Sequence, residues 1–200
     1  MNARSALEWL IDRWQWPYAA LFSAVLLTAL LPLIDIWAGL VAMTLTAQLP
    51  MYLFHQFEEH HENCFCRYVN ATIGNGLVVL SPGAAFVINS IGVWGVILAG
   101  IYAGVLVAPG FGAIAVDLGV VNGILHIAVA AVRREYNPGL WTSLALFVPL
   151  GGASLWVLGT VGHATAREQT AGLAIAILIH LAIVAHVASR RRALAHKLNL

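Results

Sequence analysis

Long stretches without charge constrain the fold of this chain more than any other feature. Residues 14–34, 36–57, 68–116, 118–132, 136–166 and 169–189 contain no Asp, Glu, Lys or Arg. A helix needs about 20 predominantly apolar residues to cross the hydrocarbon core of a bilayer. Only 10% of the residues are charged, whereas soluble domains carry about 25%. The sequence therefore predicts an all-α fold, a polytopic bundle of transmembrane helices in a lipid bilayer.

We expect about six spans in one compact bundle, near residues 17–34, 37–61, 84–107, 112–132, 139–161 and 169–189. Residues 17–190 form this bundle, and residues 191–200 form a basic cytoplasmic tail. Residues 1–16 are predicted to form an interfacial amphipathic helix, because apolar residues recur there at helical spacing opposite charged ones.

The basic residues predict the orientation of the bundle. With six spans, both termini and the loops 62–83 and 133–138 share one side, which holds every Lys and Arg except Arg167. The positive-inside rule makes that side cytoplasmic, with an N-in/C-in topology. The expected location is the inner (cell) membrane of a bacterium. Since the basic residues form no soluble basic face, we expect no nucleic-acid partner.

Ionisable side chains are concentrated at the end of the second span, where residues 53–63 read LFHQFEEHHEN. His55, Glu58, Glu59 and Glu62 have the spacing i, i+3, i+4, i+7, which stacks them on one helical face. His60 and its neighbour His61 are predicted to turn away from that face. Carboxylates inside a membrane are costly and usually mark a functional site.

Other spans carry polar residues at a similar depth. Asn122 and His126 lie on one face of the fourth span, Asn89 lies near the start of the third, and His180 lies in the sixth. All of them fall in the cytoplasmic third of the predicted bilayer. The sequence therefore predicts one shared site, within which Glu58 or Glu59 reaches His126.

Three short motifs occur in order along the chain. They are HQFEE at residues 55–59, NGILH at residues 122–126 and YNPGLWT at residues 136–142. The chain resembles the HXXEE family of membrane proteins, which shares these elements and has no assigned function. The third motif also reads as a Pro-Gly turn. It either closes a loop or forms a wall of the site with Tyr136, Asn137 and Thr142.

The leading hypothesis is a membrane-embedded metalloenzyme that acts on a lipid-like or other small hydrophobic substrate. The chemistry favours a hydrolase with Zn²⁺, and an oxygenase with Fe is the other form of this hypothesis. The candidate metal ligands are His55, Glu58, Glu59, His126 and His180. The candidate catalytic residues are Glu58, Glu59, Asn122 and Thr142. The expected surrounding or substrate-contacting residues are Glu62, Asn89, Tyr136 and Asn137.

Two alternatives remain from the same residues. The Glu pair and His126 could shuttle protons without a metal, as in an isomerase or cyclase. They could also serve a proton- or ion-coupled carrier. Protonation of a Glu, or an inward reach of Arg67, Arg133 or Arg134, would compensate the buried charge instead of a metal. The sequence leaves the oligomeric state open, a homo-oligomer included.

Overall fold

The computed structural model describes Trp9 and residues 15–198. These residues form helices and contain no strand, which confirms the predicted all-α class. The predicted helix over residues 1–16 lies almost entirely outside the described residues. The helices are α1 (Trp16–Thr46), α2 (Gln48–His60), α3 (Cys64–Thr72), α4 (Pro82–Leu106), α5 (Ala113–Arg133), α6 (Leu140–Thr160) and α7 (Ala166–Leu198).

The chain reverses direction at Gly39, within α1. The start of α1 and helix α2 therefore form the two arms of a hairpin. Gly39 has φ +84° and ψ 172°, a conformation that glycine adopts readily. As a result, the Trp16 ring lies 5.0 Å from the His60 ring, and Ala20 packs against Leu53. The start of α1 therefore runs antiparallel to α2 and covers the end that carries the charged cluster.

Five helical stretches are long and apolar enough to cross a membrane, which is compatible with a membrane protein. The first stretch, Trp16–Thr72, contains the hairpin at Gly39. α5 is the central helix. Half of the residues in the most apolar segment of its stretch are buried, whereas the buried share is 11–28% in the other stretches. The basic tail does not form a separate segment, since α7 continues to Leu198.

Small residues let α4 and α5 approach closely, as the Gly100-x-x-x-Gly104 pattern predicts. A Cβ atom at Gly100 would lie 2.9 Å from Ile114, and one at Gly104 would lie 2.5 Å from Leu45. The chain therefore has no room for a side chain at either position.

Residues 73–81 connect α3 to α4. The Asn70 side chain accepts hydrogen bonds from the backbone of Val79 and Leu80, each at 2.9 Å, and donates one to the Leu80 carbonyl. Ser81 then caps α4 through a hydrogen bond from the Ala84 amide at 3.2 Å. These bonds hold the connection against α3.

Two π-helical segments interrupt the regular helices beside the charged cluster. Ile88–Val93 lies within α4 and contains Asn89, and Ser143–Phe147 follows Thr142 in α6. Single π-helical turns are rare and often occur at functional sites. In this chain they set the positions of Asn89 and of Phe147, whose ring lies 4.4 Å from the His55 ring.

Candidate metal centre

Glu59 lies at the centre of a cluster of buried histidines. Its Oε1 lies 3.0 Å from Nε2 of His126, and its Oε2 lies 3.4 Å from Nε2 of His55 and 3.3 Å from Nε2 of His60. None of these four residues exposes more than 6% of its surface. The predicted contact between a carboxylate of the second span and His126 is thus present, and Glu59 makes it.

The hydrogen bonds of Asn137 determine which nitrogen of His126 carries a proton. Asn137 donates from Nδ2 to the His126 carbonyl at 2.9 Å, so its Oδ1 faces Nδ1 of the His126 ring at 2.6 Å. Because an amide oxygen only accepts, Nδ1 must donate. In a neutral ring, Nε2 then carries a lone pair, and this lone pair is directed at Glu59.

The same reasoning applies to His55. The hydroxyl of Thr142 donates its single proton to Glu58 Oε2 at 2.6 Å and therefore accepts from Nδ1 of His55 at 2.7 Å. Nε2 of His55 is left with a lone pair in the neutral ring. It receives a hydrogen bond from Nδ2 of Asn122 at 2.9 Å and faces Glu59.

Two ring nitrogens and a carboxylate therefore lie close together in a buried site, which requires a proton or a cation to hold them together. One ligand atom from each of His55, Glu59 and His126 lies within 4.8 Å of the others. Zinc bonds of about 2.0–2.2 Å place tetrahedral ligands about 3.3 Å apart. The contacts of 3.0 and 3.4 Å, which involve different oxygens of Glu59, are close to this spacing. Two histidines and a carboxylate form a ligand set known from catalytic zinc sites.

Glu58 faces away from this group, although it is one of the ligands expected from sequence. Its carboxylate accepts from Tyr136 Oη at 2.9 Å, from the amides of Trp141 and Thr142, and from the Thr142 hydroxyl. The two amides belong to the first turn of α6, where backbone N–H groups have no partner within the helix. The N-terminus of α6 thus compensates the Glu58 charge.

Tyr136 remains a hydrogen-bond donor to Glu58. Partial burial and the nearby Glu58 carboxylate both raise the pKa of the Tyr136 phenol above its ordinary value. The phenol therefore keeps its proton and holds the loop between α5 and α6 on α2.

Gly139 brings the backbone of this loop against both histidines. A Cβ atom at this position would lie 2.7 Å from Cε1 of His55 and 2.7 Å from Cε1 of His126, and its φ is +103°. Any other residue would be strained and would push the rings apart. The YNPGLWT motif thus forms a wall of the site, the second of the two readings that its sequence allowed.

His60 joins the cluster, which corrects the prediction that it turns away. Trp94 donates from Nε1 to Gln56 Oε1 at 2.6 Å, and Gln56 then donates to Asn89 Oδ1 at 2.8 Å. Asn89 is left with its Nδ2 facing Nε2 of His60 at 3.0 Å. Since Trp94 can only donate, this chain of bonds leaves Nε2 of His60 as an acceptor. Gln56 and Asn89, polar residues within predicted spans, were the sequence signals for this network.

Several expected site residues lie outside the cluster. Glu62 is exposed, because α2 ends at His60 and Glu62 takes a left-handed φ of 52°, which breaks the predicted helical register. His180 bonds the carbonyl of Ala176 at 2.8 Å and is not part of the three-residue group.

The arginines do not supply the counter-charge either. Within residues 15–198, Arg133 pairs with Glu135 at the surface, and Arg67 donates to the Glu62 carbonyl. Among these residues, the partners of the Glu59 carboxylate are histidines alone.

A cavity of about 240 Å³ adjoins the cluster. Its walls come from α2, α3, α4, α5 and α7, and so include the four spans predicted to surround the site. Glu59, His60, Asn89, Asn122 and His126 form its polar end, whereas most of the remaining lining is apolar. The cluster thus faces a space suited to an apolar molecule.

A family model described as a protein of unknown function with an HXXEE motif matches residues 46–157. No curated protein and no solved structure gives a significant match. The matched region covers more than half of the chain and contains His55, Glu59 and His126. It also contains the loop that carries Asn137 and Gly139. The chain belongs to the HXXEE family of proteins of unknown function.

Proposed function

We propose that this protein is a membrane-embedded metalloenzyme of the hydrolase type, acting on a small hydrophobic substrate. His55, Glu59 and His126 are its metal ligands. One observation carries the proposal: each Nδ1 atom is held by a neighbouring residue, and the Nε2 atoms of His55 and His126 both lie within 3.4 Å of one buried carboxylate. Metal-binding histidines are typically anchored through the other ring nitrogen in this way.

A bound zinc or iron ion would supply Lewis acidity and a nucleophilic water. The protein holds the ligand rings through Asn137 and Thr142. Three protein ligands leave one position of a four-coordinate site for water or substrate. His60 and Asn122 line the cavity next to Glu59, where they can hold a proton or orient the scissile bond. Water adds across that bond, and an acid and an alcohol or amine leave.

We further propose that the bundle crosses the membrane six times with both termini in the cytoplasm. The reversal at Gly39 supports the division of the first stretch into two crossings. The excess of Lys and Arg on one side supports the orientation. In this arrangement, the cluster lies in the cytoplasmic third of the bilayer, next to the first turn of α6.

A metal-free acid–base enzyme is the second candidate. The contact of 3.0 Å between Glu59 and His126 has the length of a hydrogen bond and would suit a shared proton. In addition, Asn122 already donates to the His55 lone pair that a metal would need. The carrier hypothesis stays a prediction from sequence.

Metal content separates the two candidates. Protein purified without chelator and dialysed against zinc should contain one zinc per chain by elemental mass spectrometry. Glu59→Gln and His126→Ala should weaken zinc binding at least about 100-fold, beyond the loss expected for a residue that only orients a ligand. Glu62→Gln and His186→Ala are matched controls, because both residues are exposed. Wild-type protein that binds no stoichiometric zinc or iron after metal loading would support the acid–base enzyme instead.

A further inference from the structure

The cavity beside Glu59 has a group of polar side chains at Glu59, and most of the remaining lining is apolar, with His180 of α7 among the exceptions. Glu59, Asn122 and His126 supply hydrogen-bonding groups at the polar end. Ile88, Ile179 and Ile183 are among the side chains that continue the wall away from it. A ligand that satisfies both parts must carry one polar group at the end of an apolar body.

The volume limits the size of that ligand. The cavity holds about 240 Å³, below the ~300–1,000 Å³ of sites for drug-sized molecules. A lipid with two long chains does not fit in this space. One alkyl or isoprenoid chain with a small head group does.

Helices α5 and α7 separate at the cavity. Near their N-terminal ends they touch, since a Cβ atom at Gly172 would lie 2.9 Å from Cβ of Ala113 and 2.8 Å from Oδ2 of Asp117. Further along both helices, their side chains line the cavity instead of closing it. Close packing through small residues at one end and bulky residues at the other therefore leaves a gap between the helices.

This gap faces the lipid. Leu125 and Val129 of α5 and Val184 of α7 line the cavity, yet they remain 40%, 37% and 58% exposed on the surface of the bundle. Apolar side chains that belong both to a cavity and to a lipid-facing surface indicate a lateral opening. A ligand dissolved in the bilayer would reach Glu59 through it without crossing water.

We propose that this cavity binds a single-chain amphiphile, which enters sideways from the bilayer between α5 and α7. Its polar group lies at Glu59 and His126, and its chain lies along α4 and α7. The proposal rests on the proposed function, because it names the substrate class of the same site.

Photolabelling in lipid nanodiscs tests this proposal with dodecanol that carries a diazirine in its chain. This neutral probe has one chain and one small head group, like the proposed ligand. Labelled peptides identified by mass spectrometry should include residues 125–129 and 179–184, and excess dodecanol should suppress their labelling. Val129→Trp and Ile183→Trp fill the opening and should lower this labelling at least about tenfold. Ile124→Trp is the matched control, because Ile124 is 55% exposed on the same helix and does not line the cavity.

The outcomes are distinguishable from those of the metal experiment. Each variant must keep the elution profile and zinc content of the wild type, which shows that the Trp variants fold and retain the cluster. Labelling that spreads evenly over the lipid-facing helices, without competition and without loss in Val129→Trp and Ile183→Trp, overturns the proposal even if zinc is bound. Competed labelling in a protein that binds no metal supports the amphiphile site and contradicts the metalloenzyme.

Discussion

At the scale of single residues, the side-chain amide of Asn137 has only one orientation in which it forms both of its hydrogen bonds with His126. It donates to the His126 carbonyl and accepts from the ring, so it fixes which ring nitrogen faces Glu59. This role depends on the buried position of Asn137, which exposes 1% of its surface. Water cannot replace the lost hydrogen bond there.

Asn137→Ala should therefore weaken zinc binding about 10- to 100-fold, the usual effect of removing a group that orients a ligand. One zinc per chain should still bind at saturation, because His55, Glu59 and His126 remain. Competition with a zinc chelator of known affinity measures the change. Asn137→Asp keeps the acceptor for Nδ1 and should retain most of the affinity. Equal affinities of wild type and Asn137→Ala would show that His126 needs no anchor.

Gly139→Ala should disrupt the same site from the backbone side. The new methyl group would lie 2.7 Å from both histidine rings, at a φ of +103°. We expect zinc binding to weaken and the free energy of unfolding to fall by more than about 1 kcal/mol. Chelator competition and thermal unfolding in detergent measure the two effects. Gly152→Ala is the control, since no atom lies within 4 Å of its added Cβ. A Gly139→Ala protein with the zinc affinity of the wild type would mean that the loop moves to accommodate the methyl group without disturbing the histidines.

At the scale of elements, the contact between α2 and the start of α6 is made by one carboxylate. Glu58 receives hydrogen bonds from the first turn of α6, and Thr142 links that turn to His55. The carboxylates of Glu58 and Glu59, adjacent residues of α2, therefore contact different neighbours. Glu58 positions α6, and Glu59 faces the histidines.

Glu58→Ala should lower the free energy of unfolding by about 1–2 kcal/mol, as expected when a helix loses its N-terminal cap. Glu58→Gln keeps an acceptor and should lose less. Thermal unfolding of metal-free protein in detergent measures both effects. Zinc stoichiometry at saturation should remain one per chain in each variant, in contrast to Glu59→Gln. Loss of stoichiometric zinc in Glu58→Gln would instead identify Glu58 as a ligand.

At the scale of the whole molecule, the bundle encloses the cluster of His55, Glu59, His60 and His126 near one end. The reversal at Gly39, the central position of α5 and the loop before α6 bring three separate parts of the chain to the neighbourhood of Glu59. If that end faces the cytoplasm, the lateral opening between α5 and α7 lies in the cytoplasmic leaflet.

Topology is therefore the prediction at this scale. Reporter fusions at the N-terminus and the C-terminus should both report the cytoplasm, and a fusion inserted after Gly162 should report the opposite side. The reason is that nine of the ten Lys and Arg residues fall on the side of the termini if the chain crosses six times. Paired cytoplasmic and extracytoplasmic reporters measure the sides. Termini on opposite faces would contradict the six-crossing bundle.

The sequence by itself determined the class of the fold and the meeting of a second-span carboxylate with His126. Uncharged stretches of span length require helices in a bilayer, and buried carboxylates with histidines at one depth indicate a common site. A contact of either Glu58 or Glu59 with His126 followed from this reasoning, as did the presence of Asn89 and Asn122 beside the site.

Only the tertiary structure decided the role of each residue. Helical spacing alone places Glu58, Glu59 and Glu62 on one face. In the structure, Glu58 binds the N-terminus of α6 instead, and a left-handed turn at Glu62 takes that residue off the shared face. His60 faces the cluster because Trp94, Gln56 and Asn89 orient it from another helix. The proton positions on His55 and His126 depend likewise on partners distant in sequence. Side-chain hydrogen bonds between helices have no periodicity along the chain, so no sequence pattern encodes them.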